Sequence, residues 1–220
     1  MATFNVFAVR VGLLLVLSLL LALPAAGEDI RTTLFAEADG LKAQALEVRA
    51  NVLAPKSWGQ AMDRYTAAEG KLSAGENLEE IRKDLNKASG YFKDAIKATD
   101  LARVTMDKYL KARDDAAKVD AARNAPDLWR KAEAKFSEAG RKLEEGNVND
   151  ARKKGGEAES IYRDAELSAI KTSFFDETRK LLAKAKDDKV EKYAPITLAR
   201  SQSLLAEAES ALNENRYDTD

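Results

Sequence analysis

Apolar side chains recur through most of the chain at alternating steps of three and four residues. After Trp58 they lie at 61, 65, 68 and 72, and from Leu78 the same spacing continues to Tyr109. Such spacing puts the apolar positions on one stripe of an α-helix. It predicts short helices over 56–74, 127–145 and 196–213, a long helix of up to ~46 residues from Leu78, a second long helix to about Asp188, and a helix over 30–52.

The short helices carry start and stop signals. Each begins with proline, whose missing N–H group is not needed at the first helical position. Each ends at a residue that tolerates a left-handed backbone conformation. The opening residues are Pro55, Pro126 and Pro195, and the closing residues are Gly75, Gly146 and Asn215.

The long helices have their own N-terminal signals. Asn77 can cap the first, with Glu80 completing a capping box, and Asn149 and Asp218 are the matching candidates in later copies. Gly155-Gly156 lowers helix propensity near the start of the second long helix by about 2 kcal/mol. We therefore expect that helix to begin late or to bend at the glycine pair.

These elements form a repeat of about 70 residues. One copy begins at Ala54-Pro55, the next at Ala125-Pro126, and a third, partial copy at Ala194-Pro195. The recurring positions are the prolines and a set of large apolar or aromatic anchors. They are Trp58, Tyr65, Leu72, Trp129, Phe136, Leu143, Leu198, Leu205, Leu212, Pro55, Pro126 and Pro195.

The repeat predicts an all-α fold, an elongated helical repeat or antiparallel coiled-coil bundle of alternating short and long helices. The repeats cover about 54–124, 125–193 and, in part, 194–220. We expect the first half of each long helix to pack on the short helix before it, and the second half on the short helix after it. Because the third copy stops near the turn to its long helix, we also expect a further part of the natural protein to follow.

Residues 1–27 differ from the rest of the chain. Arg10 precedes an apolar run that extends from Val11 to Leu23. The length of this run suits the core of a signal peptide and is below the ~20 residues that span a bilayer. Ala25 and Gly27 provide the small residues expected just before a cleavage site. We predict a cleaved signal peptide at 1–27, with membrane contact only if it stays uncleaved as an anchor.

Composition narrows the chemistry that the chain can perform. The sequence has no cysteine and no histidine, which excludes thiolate nucleophiles, disulfides, the commonest general base and the usual zinc sites. Its 36 basic and 37 acidic side chains nearly cancel, so we expect no nucleic-acid partner. A charged fraction of 33% in a chain rich in alanine and leucine is typical of long helices. We predict no cofactor, no metal site and no catalysis.

Two groups of residues have a functional and a structural interpretation. The aromatic side chains could line a ligand groove, but core anchoring is the interpretation we favour; they are Trp58, Tyr65, Phe92, Trp129, Phe136 and Tyr162. Acidic pairs could bind a divalent metal or act as glycosidase carboxylates, yet neighbours on a helix point in different directions. We expect solvated pairs with partners four residues away; they are Glu79-Glu80, Asp114-Asp115, Glu144-Glu145 and Asp187-Asp188.

Four segments carry a resemblance to a known family. They are Leu34 to Ala38, Ala54 to Ser57, Tyr162 to Leu167 and Arg216 to Asp220. They resemble the alanine-rich helical region, similar to the DUF4398 type, that precedes the carboxy-terminal domain in some OmpA-family envelope proteins of Gram-negative bacteria. In that family the carboxy-terminal domain binds peptidoglycan, so the resemblance assigns no binding residue to this chain. The chain lacks the lipoprotein cysteine of many members, which goes against a lipid anchor.

The resemblance and the signal together suggest a non-catalytic structural or spacer protein of the cell envelope, exported to the periplasm. Its expected partners are envelope proteins, or peptidoglycan through a missing carboxy-terminal domain. The alternative is a helical-repeat module that binds proteins, similar to tetratricopeptide repeats, although a unit of about 70 residues departs from the ~34 of that family. The oligomeric state stays open.

Overall fold

The computed structural model describes residues 25–215 of the protein, with side chains from residue 30. Residues 1–24 of the predicted signal peptide and the cap candidate Asp218 lie outside this part. The described residues form helices and contain no β-strand, which confirms the all-α prediction. The elements are α1 (Ala25–Glu47), α2 (Ala50–Leu53), α3 (Pro55–Ser73), α4 (Leu78–Lys118), α5 (Ala121–Asn124), α6 (Pro126–Glu144), α7 (Val148–Asp187), a 3-10 turn (Val190–Lys192) and α8 (Pro195–Glu214).

The three short helices α3, α6 and α8 each begin at a proline, one residue earlier than predicted. The alanine before each proline has a φ of −130° or −142° and is not helical. The proline ring disfavours the helical conformation at the residue before it. An Ala-Pro step therefore fixes where each short helix starts.

Gly75 and Gly146 end α3 and α6 in the left-handed conformation, with φ of 69° and 79°. In the first of these turns the Gly75 N–H donates to the Leu72 carbonyl, and the Glu76 N–H donates to the Lys71 carbonyl, both at 3.0 Å. The second turn has the same pair of bonds, so both helices end in a Schellman motif. Asn215 follows α8 with a φ of −138°, so the left-handed conformation predicted for it is wrong.

A left-handed residue that is not glycine lies six positions before each proline. Arg49, Asp120 and Lys189 have φ of 61°, 55° and 54°. Each separates a long helix from a single turn that leads to the Ala-Pro step. As a result α4 has 41 residues instead of up to ~46. The helix predicted over 30–52 is likewise divided into α1 and α2.

The start of α7 differs from the prediction. Asn147 caps this helix by accepting a hydrogen bond from the Asp150 N–H at 3.2 Å, so the cap expected at Asn149 is wrong. The expected late start is also wrong, because α7 begins at Val148 and continues through the glycine pair. Packing explains Gly155: a Cβ there would lie 2.2 Å from two ring atoms of Tyr109.

The helices pack as successive blocks that share the long helices. The first block contains α1, α3 and the first half of α4 (78–98), and the second contains the rest of α4 (99–118), α6 and the first half of α7 (148–170). The third block contains the second half of α7 (171–187) and α8. Each long helix therefore belongs to two blocks.

α4 and α7 run parallel and overlap by about half their length. Tyr109 of α4 lies against Gly155 of α7, and Asp115 pairs with Arg163 at 2.9 Å. The residue numbers therefore increase in the same direction along both helices. At 1.5 Å per residue each helix is ~60 Å long, and the overlapping pair spans ~90 Å. The arrangement is elongated, as the repeat predicts.

Each of the first two blocks has a hydrophobic core of its own. The large side chains of the first core are Phe35, Tyr65, Ile81, Leu85 and Phe92. Those of the second are Leu53, Met106, Tyr109, Phe136, Leu143 and Tyr162. Alanine occupies most other buried positions, which lets the helices approach closely. Of the described residues of α8, only Leu198 and Leu212 are buried, so the third block has little core.

Candidate functional site

The aromatic anchors of the first block lie where α3 meets α4. Trp58 and Tyr65 of α3 pack on Phe92 of α4, with ring centroids 5.5 Å and 6.3 Å apart. Phe35 of α1 packs on the other side of Tyr65 at 5.5 Å, nearly edge to face. The Tyr65 hydroxyl donates a hydrogen bond to the Asp39 carboxylate. One tyrosine therefore joins all three helices of the block.

The second block repeats this cluster. Trp129 and Phe136 of α6 pack on Tyr162 of α7, with centroids 5.5 Å and 6.1 Å apart. The Tyr162 hydroxyl donates to the Glu133 carboxylate, which also accepts from Arg113 of α4 at 2.7 Å. Three helices are joined again, here α4, α6 and α7, and the central tyrosine comes from the long helix α7 instead of the short one.

Both tyrosine hydroxyls are held in their protonated form. Burial, and then the hydrogen bond to Asp39, raise the pKa of Tyr65 to about 12. Burial and the bond to Glu133 raise the pKa of Tyr162 above its ordinary value as well. Because each hydroxyl donates to a carboxylate, these residues act as structural donors near neutral pH.

The remaining anchors differ in how deeply they are buried. The leucines at 143, 198 and 212 are buried, whereas Leu72 and Leu205 are half-buried. Pro55 is half-buried, and Pro126 and Pro195 are exposed. Two of the three leucine anchors of the third copy are therefore buried, as many as among the corresponding anchors of the second copy, where Phe136 and Leu143 are buried.

The first two repeats meet at the N-terminus of α3. The Glu144 carboxylate, from the last residue of α6, accepts hydrogen bonds from the backbone N–H groups of Lys56 at 2.8 Å and Ser57 at 2.9 Å. Negative charge at a helix N-terminus is favourable because the first N–H groups have no partner within the helix. Gly140 of α6 allows the approach, since a Cβ there would lie 2.6 Å from Pro55 Cδ.

An ion pair connects the first block to the second, by joining the turn after α1 to the second half of α4. Arg49 donates two hydrogen bonds to the Asp114 carboxylate, at 2.7 Å and 2.6 Å. These bonds lower the pKa of Asp114 below its ordinary value. Because Arg49 is the left-handed residue between α1 and α2, the pair connects that turn to the half of α4 that belongs to the second block.

A groove of about 530 Å³ opens beside the capped end of α3. Its apolar side chains include Leu53, Leu101 and Leu143, and its charged ones include Lys56, Asp94 and Lys97. Its size is in the range of small-ligand sites, and its mixture of apolar and charged groups suits a short amphipathic segment. It is the candidate site that the repeat geometry creates.

The acidic pairs do not all behave as expected. Asp114 and Glu144 reach across the junction, so the prediction of solvated side chains with local partners is wrong for these two. Asp115 has a local partner, Lys118 at 3.1 Å, but it is half-buried and also pairs with Arg163 at 2.9 Å. The distant partners of these three carboxylates lie 48 to 88 residues away in sequence. Helical spacing alone carries no signal for such contacts, and sequence reasoning missed them.

Two structural features are absent from the part of the chain that the structure describes. No cluster of three or more His, Cys, Asp or Glu side chains there could hold a metal ion. None of the helices described combines the length and the apolar character required to cross a bilayer.

Comparisons of the chain with protein families, with curated proteins and with solved structures found no match.

Proposed function

We propose that the protein is a non-catalytic spacer of the bacterial cell envelope. The observation that supports it best is the way α4 and α7 each leave one block and enter the next. A continuous helix between blocks resists bending, so the ends of the described chain are held far apart. Such an arrangement suits a spacer, a region that holds the segments at its two ends at a fixed distance from each other.

The location rests on the amino-terminal sequence. The apolar run from Val11 to Leu23, followed by small residues, supports export, and the OmpA-family resemblance supports the periplasm of a Gram-negative bacterium. In this proposal peptidoglycan, or another envelope protein, is bound by a carboxy-terminal domain that follows the repeats. Cell fractionation and N-terminal sequencing test the export step: we expect a periplasmic or envelope-bound protein beginning at Glu28, and a cytoplasmic protein with an intact N-terminus would contradict it.

A repeat deletion tests the spacer role. Removing residues 76–146 joins Gly75 to Asn147, so that α3 is followed by α7 through the same kind of turn. A strain lacking the gene, with a measurable envelope defect such as detergent sensitivity, is complemented with this variant or with a full-length control. The control carries Lys83→Glu and Lys87→Glu on the exposed face of α4. We expect the control to complement and the shortened chain to fail although it folds; full rescue by the shortened chain would contradict a length-dependent role.

The groove favours a second candidate function, a module that binds a protein segment. Leu101 is half exposed at its edge and does not belong to either core. Leu101→Glu would weaken such binding without changing the length of the molecule. The shortened chain cannot separate the two functions, because its deletion also removes Leu101 and much of the groove. If Leu101→Glu fails in the same assay at unchanged length, the binding function is favoured over the spacer, and full rescue by Leu101→Glu would contradict it.

A further inference from the structure

The first two blocks are joined by more than the long helix that they share. Leu53 of α2 is 1% exposed because its side chain lies in the core of the second block. Pro55 lies against Gly140 of α6, where a Cβ would be 2.6 Å from the proline Cδ. Together with the carboxylate cap at the start of α3 and the ion pair described above, these contacts form what we call the first junction.

A second junction of the same kind would bring the turn before α6 to the end of α8, but its residues differ. Aligning the prolines that open the short helices places Glu209 at the position of Gly140 and Asn213 at that of Glu144. Glu209 therefore has a Cβ where the first junction has no room for one, and its carboxylate accepts from Arg179 of α7 at 2.7 Å. The Asn213 side chain is exposed and makes no hydrogen bond to another described residue.

The other contacts of the first junction have no counterpart in the second either. Asn124 takes the place of Leu53, and its amide group donates to the Val119 carbonyl of its own turn at 3.3 Å. Asp120 and Ala183 take the places of the two residues of the ion pair, and an alanine carries no charge. All these residues belong to the elements that would meet, so the side chains of the second junction cannot reproduce the contacts of the first.

α7 is also less well supported than α4 at the point where it leaves one block for the next. Arg103 of α4 donates to the Val48 carbonyl at 3.3 Å and so connects this part of the helix to the turn after α1. The equivalent residue of α7 is Thr172, whose side chain is too short for such a contact. None of residues 172–176 is among the stronger helix formers, whereas residues 101–103 of α4 all are. Local opening of the helix therefore requires less free energy at this place in α7.

We propose that residues 172–176 of α7 form a hinge about which the third block moves relative to the first two. The first two blocks move as one body, because the first junction holds them together. α8 follows the motion of the third block, since it packs on the second half of α7. The hinge does not depend on the proposed role of the protein. In a spacer, it fixes the distance across two blocks and lets the direction of the third block vary.

Distances between pairs of spin labels test the hinge on the whole protein. Because the sequence has no cysteine, two introduced cysteines are the only sites that react with the label. Asp63, Ala134 and Ser203 are equivalent, exposed positions of α3, α6 and α8. Double electron–electron resonance on Asp63→Cys with Ala134→Cys reports the first junction, and Ala134→Cys with Ser203→Cys reports the second. We expect a distance distribution roughly twice as wide, or wider, for the second pair.

A control pair and two sets of substitutions locate the motion. Glu177→Cys with Ser203→Cys lies within the third block and should give a narrow distribution. In the pair that reports the second junction, Thr172→Ala with Ser173→Ala should narrow the distribution, because alanine strengthens the helix at the hinge. Ser160→Ala, at an exposed position of α7 inside the second block, should leave it unchanged. Equal widths for the two junctions, a broad distribution within the third block, or no narrowing by the two alanines at the hinge would overturn the proposal.

Discussion

At the scale of the residue, a few charged side chains hold elements that are distant in sequence. Glu144 caps a helix of the preceding repeat, and Asp84 of α4 accepts from Lys71 at 2.9 Å and Arg64 at 3.3 Å of α3. Asp84 is 6% exposed, so its charge depends on these partners. Such residues, more than the exposed charges around them, should determine how stability responds to substitution and to pH.

Glu144→Ala should destabilise the protein by about 1 kcal/mol, because two N–H groups at the start of α3 lose their acceptor. Glu145→Ala is the matched control. That neighbouring carboxylate pairs with Lys142 three residues away on the same helix, so its removal should leave the stability nearly unchanged. Urea unfolding of both variants measures the difference, and equal effects would show that the cap has no energetic role.

Asp84 should make stability fall in acid. The hydrogen bond from Lys71 lowers the pKa of Asp84 below its ordinary value. Its contribution is therefore present above the unfolded pKa of ~3.9 and is lost as the pH falls through the lower folded-state value.

Asp84→Asn should consequently destabilise the protein by about 1–2 kcal/mol at pH 7, and the difference from the natural protein should shrink towards zero near pH 2. Asp100→Asn, at an exposed position of the same helix, serves as control. Urea unfolding at both pH values checks the result; a destabilisation by Asp84→Asn that does not depend on pH would contradict the assignment.

At the scale of the element, adjacent glycines of α7 have different roles. A Cβ at Gly155 would enter the ring of Tyr109, which is itself buried and donates a hydrogen bond to the Arg152 carbonyl at 3.0 Å. A Cβ at Gly156 would meet nothing within 4 Å. Helix propensity and packing are therefore separable at this pair.

Gly155→Ala should destabilise the protein by about 1–3 kcal/mol, since the tyrosine ring has little room to move. Gly156→Ala should stabilise it by up to about 1 kcal/mol, because alanine is the better helix former. Thermal unfolding of the two single variants is the measurement. If both variants are stabilised, α7 does not approach α4 as closely as the structure has it.

Helices with a periodic apolar pattern could be predicted from the sequence. The left-handed residues that interrupt these helices could not. Pro55 and Gly75 bound α3 within one residue of the prediction because proline and glycine act through local backbone sterics. The break at Arg49 uses a residue type without such a preference, and aspartate at 120 tolerates the left-handed conformation without requiring it. Buried alanines on either side of both breaks continue the apolar seam. The contacts of Glu144 were equally inaccessible, since they depend on how two repeats meet.

At the scale of the whole molecule, the blocks should differ in stability. The first two have cores with aromatic side chains contributed by three helices, whereas the third has two helices and few buried residues. Local opening requires less free energy where fewer apolar contacts are lost.

Hydrogen exchange should show this gradient. We expect amides of α8 to exchange faster than those of α3 and α6 under native conditions, although the three helices have similar lengths of 19 or 20 residues. Mass spectrometry of deuterium uptake in peptides from the three helices gives the comparison. Equal protection in all three would mean that the blocks unfold as one unit.

Small-angle X-ray scattering on residues 28–220 tests most directly the claim that the blocks form an extended series. A rod of the ~90 Å length that α4 and α7 span has a radius of gyration of about 26 Å, its length divided by the square root of twelve. A compact domain of this size would have ~16 Å. The account predicts a value near the first figure, and a value near the second would contradict it.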